Sequence, residues 1–530
     1  MTDLKTRKYD RQLRLWAASG QTALENSKIA LLNATTTGCE ILKNLVLPGV
    51  GDVTVVDGST VTEMDIKTNF FLDAHAVGQP KAESAAALLK ELNSEVNVQA
   101  VNKSPEHILH NDPAFFDTFS VIIATNLHDE ETLLLSDICE KGAKTFVSVR
   151  CKGFCSLFRV QAPEHHIIEP HTENVVDLRL GNPFTSLRNH AKTYDLDTLD
   201  QTDHGHVPFV IVLIQTIEKW KEEHMDRFPS TYQERNEIKA MLKDKMRTPD
   251  EENYEEALAN VFRLSSTSSV TPAISRLFQD PACENIDAKS APFWIVARAV
   301  RDFVANEGEG ELPLAGKLPD MKADTNNYVA LQNIYRQKAL QDIADVTLRV
   351  RCMLQNLQLP ESTVPKELIE TFCRNSANVN VIRYRTLREE LTSQSNANKL
   401  LAVLKSDPNA AFSILFRASD RFFKELGHYP GAKPESAIDD VEPLKTQMRY
   451  VLHDSGIADD EASTWLETED CQRAIQNFIR FANKEVPNIA ALAGGLVSQE
   501  VIKLITHQYT PINNTCIFNG ITSTSSVLEL

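Results

Sequence analysis

The fold of this chain is decided by the stretch Ser27-Lys28-Ile29-Ala30-Leu31-Leu32, followed by Asn33-Ala34-Thr35-Thr36-Thr37-Gly38. The first six residues predict a buried strand, and the residues after the loop predict a helix with one apolar face, formed by Ile41, Leu42, Leu45 and Val46. Nucleotide-binding sheets carry the motif G-x-G-x-x-G between such a strand and such a helix. Here only the last of its three glycines is present.

The missing glycines have a direct physical consequence. They normally let the backbone turn tightly and approach a pyrophosphate closely. Side chains at Ala34 and Thr35 should crowd that approach. The sequence therefore predicts a nucleotide-binding scaffold with a degraded ligand site, which favours a partner subunit over a self-sufficient catalyst.

Strand and helix patterns alternate over the first 160 residues. The predicted strands are Ile29–Leu32, Val53–Val56, Val96–Val101, Val121–Thr125, Thr145–Val149 and Cys155–Val160. The predicted helices between them are Gly38–Leu47, Lys81–Leu92 and Glu130–Glu140. This alternation is typical of a parallel sheet covered on both faces, so we predict an α/β fold with a Rossmann-like doubly wound sheet.

The rest of the chain predicts a large insertion into that sheet domain. Residues 166–485 are mostly helical in pattern and include a long helix near Asn327–Leu357. A helix at Ile489–Thr506 and a strand at Thr515–Phe518 follow. We therefore predict residues 1–165 as the first part of the α/β domain, 166–485 as the helical insertion, and 486–530 as the return.

Composition excludes several classes of protein. The net charge of −18 argues against nucleic acid as a main ligand. We find no run of about 18 apolar residues and no apolar secretory segment at the start, so we expect no membrane association. Nine cysteines without a C-x-x-C pair make a zinc ribbon unlikely and indicate reduced thiols in the cytoplasm or the nucleus.

Three charged residues are candidate phosphate or nucleotide contacts. Arg11 shares a predicted helix face with Arg14 and could reach an anion, or it could simply be solvated. Asp57 ends a predicted strand, where it could hold ribose hydroxyls or cap the turn that follows. Lys81 begins a predicted helix and could meet phosphate oxygens, or it could be a surface lysine.

Histidine and cysteine are weaker candidates. His204 and His206 form an H-x-H pair, but no third ligand is arranged nearby, so a helix-capping or partner-contacting loop is the better interpretation and we predict no metal site. Cys151 and Cys155 fall in or beside a predicted strand, where free cysteine usually acts as a small buried hydrophobe. We therefore predict no catalytic residue in this chain.

Taken together, these segments resemble the adenylating enzymes that activate ubiquitin and its relatives. The shared motifs are Tyr9-Asp10-Arg11-Gln12-Leu13-Arg14, Glu40–Leu45, Gly49-Val50-Gly51, Asp57, Gly78-Gln79-Pro80-Lys81-Ala82 and Ala493–Lys503. Further motifs resemble the regulatory subunits of the heterodimeric neddylation-activating enzyme, the amyloid-precursor-binding-protein family. They are Asn33–Thr35, Thr37-Gly38, Asn69-Phe70-Phe71-Leu72, Tyr194-Asp195-Leu196-Asp197 and Leu318-Pro319-Asp320-Met321.

The resemblance implies a ThiF-type adenylation fold and a division of labour between two subunits. ATP and Mg would be bound by the catalytic partner, and this chain alone would bind neither. Its helical insertion would be similar to a catalytic-cysteine domain without the cysteine. Arg11 would reach the partner's ATP in trans. The other implied partners are a ubiquitin-like modifier of the Nedd/Rub type and a downstream conjugating enzyme.

The resemblance also implies a partner interface at His206 and in the segment from Asp320 to Tyr335. Asp320 and Met321 lead into the long helix, and its predicted contact stripe is Tyr328, Leu331, Gln332 and Tyr335. Tyrosine is enriched at interfaces, where its hydroxyl can be paired. The alternative is that this stripe packs inside the helical insertion.

Departures from the catalytic members weaken the case for an ATP site in this chain. Those members carry Asn, Arg and Gln where this chain has Lys67, Thr68 and Asn69. They also carry a metal-binding aspartate after the fourth strand, where this chain has Thr125-Asn126-Leu127-His128, with Asp129 slightly later. Lys81 keeps the catalytic form, so Asp57 and Lys81 are predicted as residual nucleotide contacts. The alternatives are a self-sufficient activating enzyme and a Rossmann-type adaptor without enzymatic role.

Overall fold

The computed structural model describes residues 3–172, 176–265, 270–392, 396–433, 437–481 and 484–530. The chain forms two compact units. The first combines Met1–His165 with Ile382–Leu530, and the second is His166–Val381.

An eight-stranded sheet forms the centre of the first unit. Its strands are β1 (Lys28–Leu32), β2 (Asp52–Val56), β3 (Asn97–Val101), β4 (Val121–Thr125), β5 (Thr145–Lys152) and β6 (Cys155–Gln161), and, after the short strands β7 (His165–Ile167) and β8 (Asn380–Ile382), β9 (Thr515–Asn519) and β10 (Thr524–Leu528). The strand order is β10-β9-β6-β5-β4-β1-β2-β3. Strands β1 to β5 are parallel, whereas β6, β9 and β10 join antiparallel.

Helices fall in three groups along the chain. Before β7 they are α1 (Asp3–Lys8), α2 (Asp10–Glu25), α3 (Thr36–Val46), α4 (Asp65–Thr68), α5 (Lys81–Leu92), α6 (Pro105–Asn111) and α7 (Asp129–Lys141). The second unit contains α8 (Thr185–Ala191), α9 (Gln201–Gly205), α10 (Phe209–Glu223), α11 (Tyr232–Lys245), α12 (Glu252–Asn260), α13 (Pro272–Phe278), α14 (Pro281–Glu284), α15 (Pro292–Ala305), α16 (Thr325–Asn356) and α17 (Lys366–Asn375). The final group is α18 (Leu387–Thr392), α19 (Ala397–Ser406), α20 (Ala411–Leu426), α21 (Val441–Asp454), α22 (Asp459–Leu466), α23 (Glu469–Ile479) and α24 (Pro487–Thr506).

Alternate residues of the central strands are buried on opposite faces of the sheet. Ile29 and Leu31 belong to a core with α3, α5 and α24, whereas Ala30 and Leu32 belong to a core with α6 and α7. A strand buried on both faces reads as the continuous apolar run seen at β1. The predicted α/β fold with a doubly wound sheet is confirmed.

The end of the helical insertion differs from the predicted boundary at residue 485. The second unit ends at Val381, and the helices α19 to α23 belong to the first unit. Phe412 and Leu415 of α20 share a core with Cys155 of β6 and Ile517 of β9. These helices therefore cover the antiparallel part of the sheet, which the helical pattern alone could not reveal.

The second unit has two helical cores. One is built around Ile211, Trp220 and Leu331, and the other around Trp294, Val346 and Phe372. The 32-residue helix α16 contributes Leu331 to the first core and Val346 to the second. The long helix predicted at 327–357 is therefore present and links the two cores.

Helix α24 is long and apolar enough to cross a membrane by length and composition, and half of its most apolar window is buried in the protein. Its apolar side chains Val497 and Val501 belong to the sheet core shared with α3. One face of α24 therefore packs into the sheet core, and this packing accounts for the apolar side chains on that face.

Two adjacent glycines of α24 provide a matched test of that packing. A Cβ atom on Gly494 would lie 2.7 Å from Cβ of Glu40 and 2.9 Å from its backbone carbon, whereas a Cβ atom on Gly495 would meet nothing within 4 Å. We expect Gly494→Ala to lower the free energy of unfolding by about 1–3 kcal/mol, the usual cost of overpacking. Gly495→Ala should raise it by about 0.5–1 kcal/mol, because alanine loses less entropy in a helix. Denaturant unfolding of both variants measures this difference, and equal effects would contradict close packing of α24 on α3.

Candidate functional site

The candidate site lies where the strand order reverses, at the carboxyl ends of β1 and β4. Ligands of open α/β sheets bind at this topological switch point. The loop Asn33–Gly38 follows β1, and Thr125 and Asn126 close β4. Asn33 has a φ of 68°, the left-handed conformation that a glycine would adopt in this turn. Its side-chain amide donates a hydrogen bond to the carbonyl oxygen of Thr125 at 2.9 Å.

Thr35 occupies the position of the second motif glycine and uses its side chain to cap α3. Its hydroxyl oxygen accepts a hydrogen bond from the amide of Gly38 at 3.1 Å. The same hydroxyl lies 3.0 Å from the hydroxyl oxygen of Thr125. A side chain therefore stands where a glycine would leave room for a pyrophosphate, as the sequence predicts.

Gly38, the one glycine retained, is required by packing. A Cβ atom there would lie 2.9 Å from the carbonyl oxygen of Asn33 and 3.1 Å from both Leu31 methyl carbons. Close packing of helix on strand is the role of the third glycine in this motif. The glycine required for helix–strand packing is therefore present at Gly38. Asn33 stands in place of the glycine of the tight turn, and Thr35 stands in place of the glycine that lets a pyrophosphate approach.

Asp57 is buried and is hydrogen-bonded to the loop itself. One carboxylate oxygen accepts the amide of Ala34 at 2.8 Å, and the other accepts the amide and hydroxyl of Ser59 at 2.8 and 2.6 Å. This is the turn-capping alternative considered for Asp57. Its role as a residual nucleotide contact stays a prediction.

Lys81 forms an ion pair with Asp65, with its Nζ 3.0 Å from a carboxylate oxygen. Burial disfavours the charged Asp65, but hydrogen bonds from Thr62 and the Lys81 ammonium outweigh it and lower the pKa of that carboxyl group. The Lys81 side chain is only 15% exposed. Lys81 is therefore not the solvated surface lysine of the alternative, and its contact with a nucleotide stays a prediction.

Glu485 brings a second carboxylate to the same helix end. Oε2 accepts the amide of Thr37 at 3.3 Å, and Oε1 accepts the side-chain amide of Asn126 at 3.1 Å. Burial raises the pKa of Glu485, and interactions with Thr37 and Thr36 act in the opposite direction. Sequence analysis missed Glu485, because no local pattern links it to a loop 448 residues away.

The end of β4 holds no acid that faces this loop. The side-chain oxygen of Asn126 accepts the amide of Cys151 at 2.9 Å. Asp129 instead lies 3.5 Å from Arg150 and 3.5 Å from Arg417, and burial together with nearby Asp420 raises its pKa. Within the described ranges, no group of three His, Cys, Asp or Glu side chains could hold a metal ion.

These contacts show that the residues present do not fit a nucleotide phosphate. The amides of Ala34, Thr37 and Gly38, which a phosphate would need, already donate to Asp57, Glu485 and Thr35. An incoming phosphate would therefore have to displace internal acceptors.

Arg11 lies at the exposed start of α2. Among the described residues it has no ion pair or hydrogen-bond partner, whereas Arg14 lies 2.9 Å from Asp10. Tyr9, the residue directly before α2, is buried, and its hydroxyl donates to Glu95 at 3.0 Å and accepts from Asn93 at 3.0 Å. The buried side chain of Tyr9 thus fixes the start of α2, and the guanidinium group of Arg11 in its first turn is exposed to solvent.

The predicted interface stripe on α16 is wrong for two of its residues. Leu331 and Tyr335 are fully buried in the core of the second unit, and the Tyr335 hydroxyl donates to the carbonyl oxygen of Leu178 at 2.6 Å. Leu331 and Tyr335 lie four residues apart on the face of α16 that packs into the chain's own core, so neither is available as a partner contact. Gln332 is exposed, and Tyr328 is half-buried.

The remaining residues predicted at the partner interface are at least partly exposed. Asp320 is exposed, and Met321 is half-buried against the first core of the second unit. His206 is half-buried, and its Nδ1 lies 2.6 Å from the carbonyl oxygen of Thr202. Its neighbour His204 is instead buried, with Nδ1 2.7 Å from Glu251. The two histidines of this motif therefore have different surroundings.

Cys151 and Cys155 are buried in the sheet. Burial raises the pKa of both thiols well above the ordinary range. Because the thiolate is the reactive form, these surroundings suppress nucleophilic chemistry. Both behave as the small hydrophobic residues expected from the sequence.

A family model described as "ThiF family" matches residues 9–530. The NEDD8-activating enzyme E1 regulatory subunit of Danio rerio is 38% identical, with 100% of both chains covered. That of Gallus gallus is 40% identical over 99% of this chain and 98% of its own. The Arabidopsis thaliana protein named NEDD8-activating enzyme E1 regulatory subunit AXL is 38% identical over 100% of both.

Among solved structures, one titled "Crystal structure of E. coli MccB + ATP" is 17% identical and has a TM-score of 0.27, covering 29% of this chain and 49% of that chain. The sequence matches alone decide the family. A match over nearly the whole chain shows that it belongs to the ThiF family. Within that class it is a member of the NEDD8-activating enzyme E1 regulatory subunits, which confirms the resemblance found in its motifs.

The burial of Tyr335 leads to a stability test on α16. We expect Tyr335→Ala to lower the free energy of unfolding by about 3–5 kcal/mol through the cavity it leaves. Tyr335→Phe should cost about 1–3 kcal/mol, because the buried Leu178 carbonyl loses its donor. The exposed neighbour is the control, and Gln332→Ala should change stability by less than about 0.5 kcal/mol. Chemical denaturation of the full chain measures the free energy of unfolding of all three variants. An unchanged free energy of unfolding for Tyr335→Ala would contradict the burial of Tyr335.

Proposed function

We propose that this chain is the non-catalytic half of a heterodimer that activates a ubiquitin-like protein of the Nedd/Rub type. The observation that carries this proposal is the loop Asn33–Gly38, whose amides donate to acceptors of the chain itself. Membership of the regulatory subunits supports it. The catalytic partner would bind ATP and Mg, adenylate the C-terminus of the modifier and form the thioester, before transfer to a conjugating enzyme.

In this scheme the chain supplies positioning and positive charge. Activation of a carboxylate by ATP passes through a state in which charge develops on phosphate oxygens, so preorganised donors stabilise it. Arg11 is exposed and unpaired among the described residues, and Tyr9 fixes the start of its helix. An arginine contributed by a neighbouring subunit suits this task.

ATP–pyrophosphate exchange tests the proposal directly. We expect exchange dependent on the modifier when the chain is mixed with the catalytic subunit, and no exchange from the chain alone. Exchange by the chain alone would favour a self-sufficient activating enzyme. A partner whose activity is the same with and without this chain would leave the adaptor as the better interpretation.

Arg11→Ala should leave the heterodimer assembled and slow adenylation by about 10- to 1000-fold, the scale for loss of one charge-stabilising donor. The matched control is Arg14→Ala, since Arg14 lies on the same helix but pairs with Asp10. Exchange kinetics beside size-exclusion chromatography separate catalysis from assembly. Unchanged kinetics in an intact Arg11→Ala heterodimer would make Arg11 an ordinary surface residue.

The accessible part of the proposed partner interface can be tested at Tyr328. We expect Tyr328→Ala to weaken association with the catalytic subunit by about 1–2 kcal/mol, the scale of a moderate interface contact. Tyr232 serves as the control, because it is 74% exposed on α11 of the same unit. Calorimetry of subunit association should show no change for Tyr232→Ala. Equal affinities for both variants would remove Tyr328 from the interface.

A further inference from the structure

Helix α3 begins with three amides that need acceptors from outside the helix, those of Thr36, Thr37 and Gly38, while the amide of Cys39 already bonds to the carbonyl of Thr35 at 3.0 Å. The hydroxyl oxygen of Thr35 accepts the amide of Gly38, and Glu485 accepts the amide of Thr37. Two of these three donors therefore bond to an acceptor supplied by a side chain of the same chain.

Glu485 is held over this helix end by the segment that precedes α24. The carbonyl oxygen of Lys484 accepts the amide of Gly153 at 2.7 Å, and Glu485 forms an isolated parallel bridge with Gly153. Gly153 has a φ of 55°, and a Cβ atom there would lie 2.5 Å from Phe481. The absence of a side chain at Gly153 thus leaves room for Phe481 and for the backbone of Glu485 beside it.

The placement of Glu485 differs from ordinary helix capping. Local caps come from a residue beside the helix, as with Asp324, whose carboxylate accepts the amides of Asn326 and Asn327 at the start of α16. Helix α3 already has such a cap in Thr35. Glu485 is an additional carboxylate from 448 residues away, and it meets α3 at the switch point of the sheet.

We propose that Glu485 is a built-in anion that occupies the phosphate position of this fold and closes the chain's own nucleotide site. A helix N-terminus attracts phosphate through free amides and the positive end of the helix dipole. Glu485 places two acceptor oxygens at this position: one accepts the amide of Thr37 in the first turn of α3, and the other accepts the side-chain amide of Asn126. This inference rests on the proposed function, because it explains why the subunit leaves ATP to its partner.

The test removes the carboxylate and offers an inorganic substitute. In full-length Glu485→Ala, pyrophosphate should raise the melting temperature in a concentration-dependent manner, compared with sodium chloride of the same ionic strength. Wild type should show no such rise. Calorimetry should give pyrophosphate an affinity for the variant at least about tenfold above that for wild type, equivalent to about 1.4 kcal/mol. No difference between variant and wild type would overturn the inference.

Asp324→Ala is the matched control, since it also removes a carboxylate from a helix N-terminus of the same chain. We expect it to melt at a lower temperature without a specific response to pyrophosphate. An equal response from Asp324→Ala would mean that any vacated helix end binds the anion, which contradicts a phosphate position at α3. Glu485→Ser gives the same comparison if the alanine variant melts below the assay temperature.

A second measurement separates this inference from the proposed function. Labelled ATP in equilibrium dialysis with wild type tests the proposed function, and tight binding would contradict it whatever Glu485 does. A wild type that binds no ATP, together with a Glu485→Ala variant that gains no pyrophosphate affinity, would overturn only the role of Glu485.

Discussion

The close packing of helix α3, together with the hydrogen bonds at its first turn, is the constraint on which the first unit depends. Its side against β1 has no room for a side chain at Gly38, and its side against α24 has none at Gly494. Its first amides need acceptors, because an unpaired buried amide costs about 1–3 kcal/mol. One helix of eleven residues therefore carries both this close packing and one side of the candidate site.

This constraint gives a physical account of the degraded glycine loop. A nucleotide phosphate satisfies the amides at such a helix end, so a chain that does without the ligand must provide acceptors of its own. Thr35 provides one beside the helix, and Glu485 provides another from the far end of the sequence. Asp57 holds the amide of Ala34 in the same way. The loop therefore differs from a nucleotide-binding loop in two ways: two of its motif glycines are replaced, and its amides of Ala34, Thr37 and Gly38 donate to side chains of the same chain.

Local patterns predicted the features that depend on local physics. The buried strand Lys28–Leu32 and the helix Lys81–Leu92 were predictable from their apolar spacing, and the crowded loop followed from the residues at 34 and 35. The orientation of α16 did not follow, because a stripe with Leu331 and Tyr335 fits a core and an interface equally well. The role of Glu485 and the unit boundary at Val381 depend on contacts distant in sequence, which no window of residues contains.

The same helix also connects the closed site to the exposed arginine. At the carboxyl end of α3, the carbonyl oxygen of Val46 accepts the side-chain amide of Asn93 at 2.9 Å, and that amide also donates to the buried Tyr9 hydroxyl. Tyr9 directly precedes the helix that carries Arg11. Asn93 links the end of α3 to Tyr9, and Arg11 lies only two residues after Tyr9. The position of Arg11 therefore depends on the packing of α3. The packing of α3 therefore bears on both the hydrogen-bonded loop at its start and the position of Arg11 near its end.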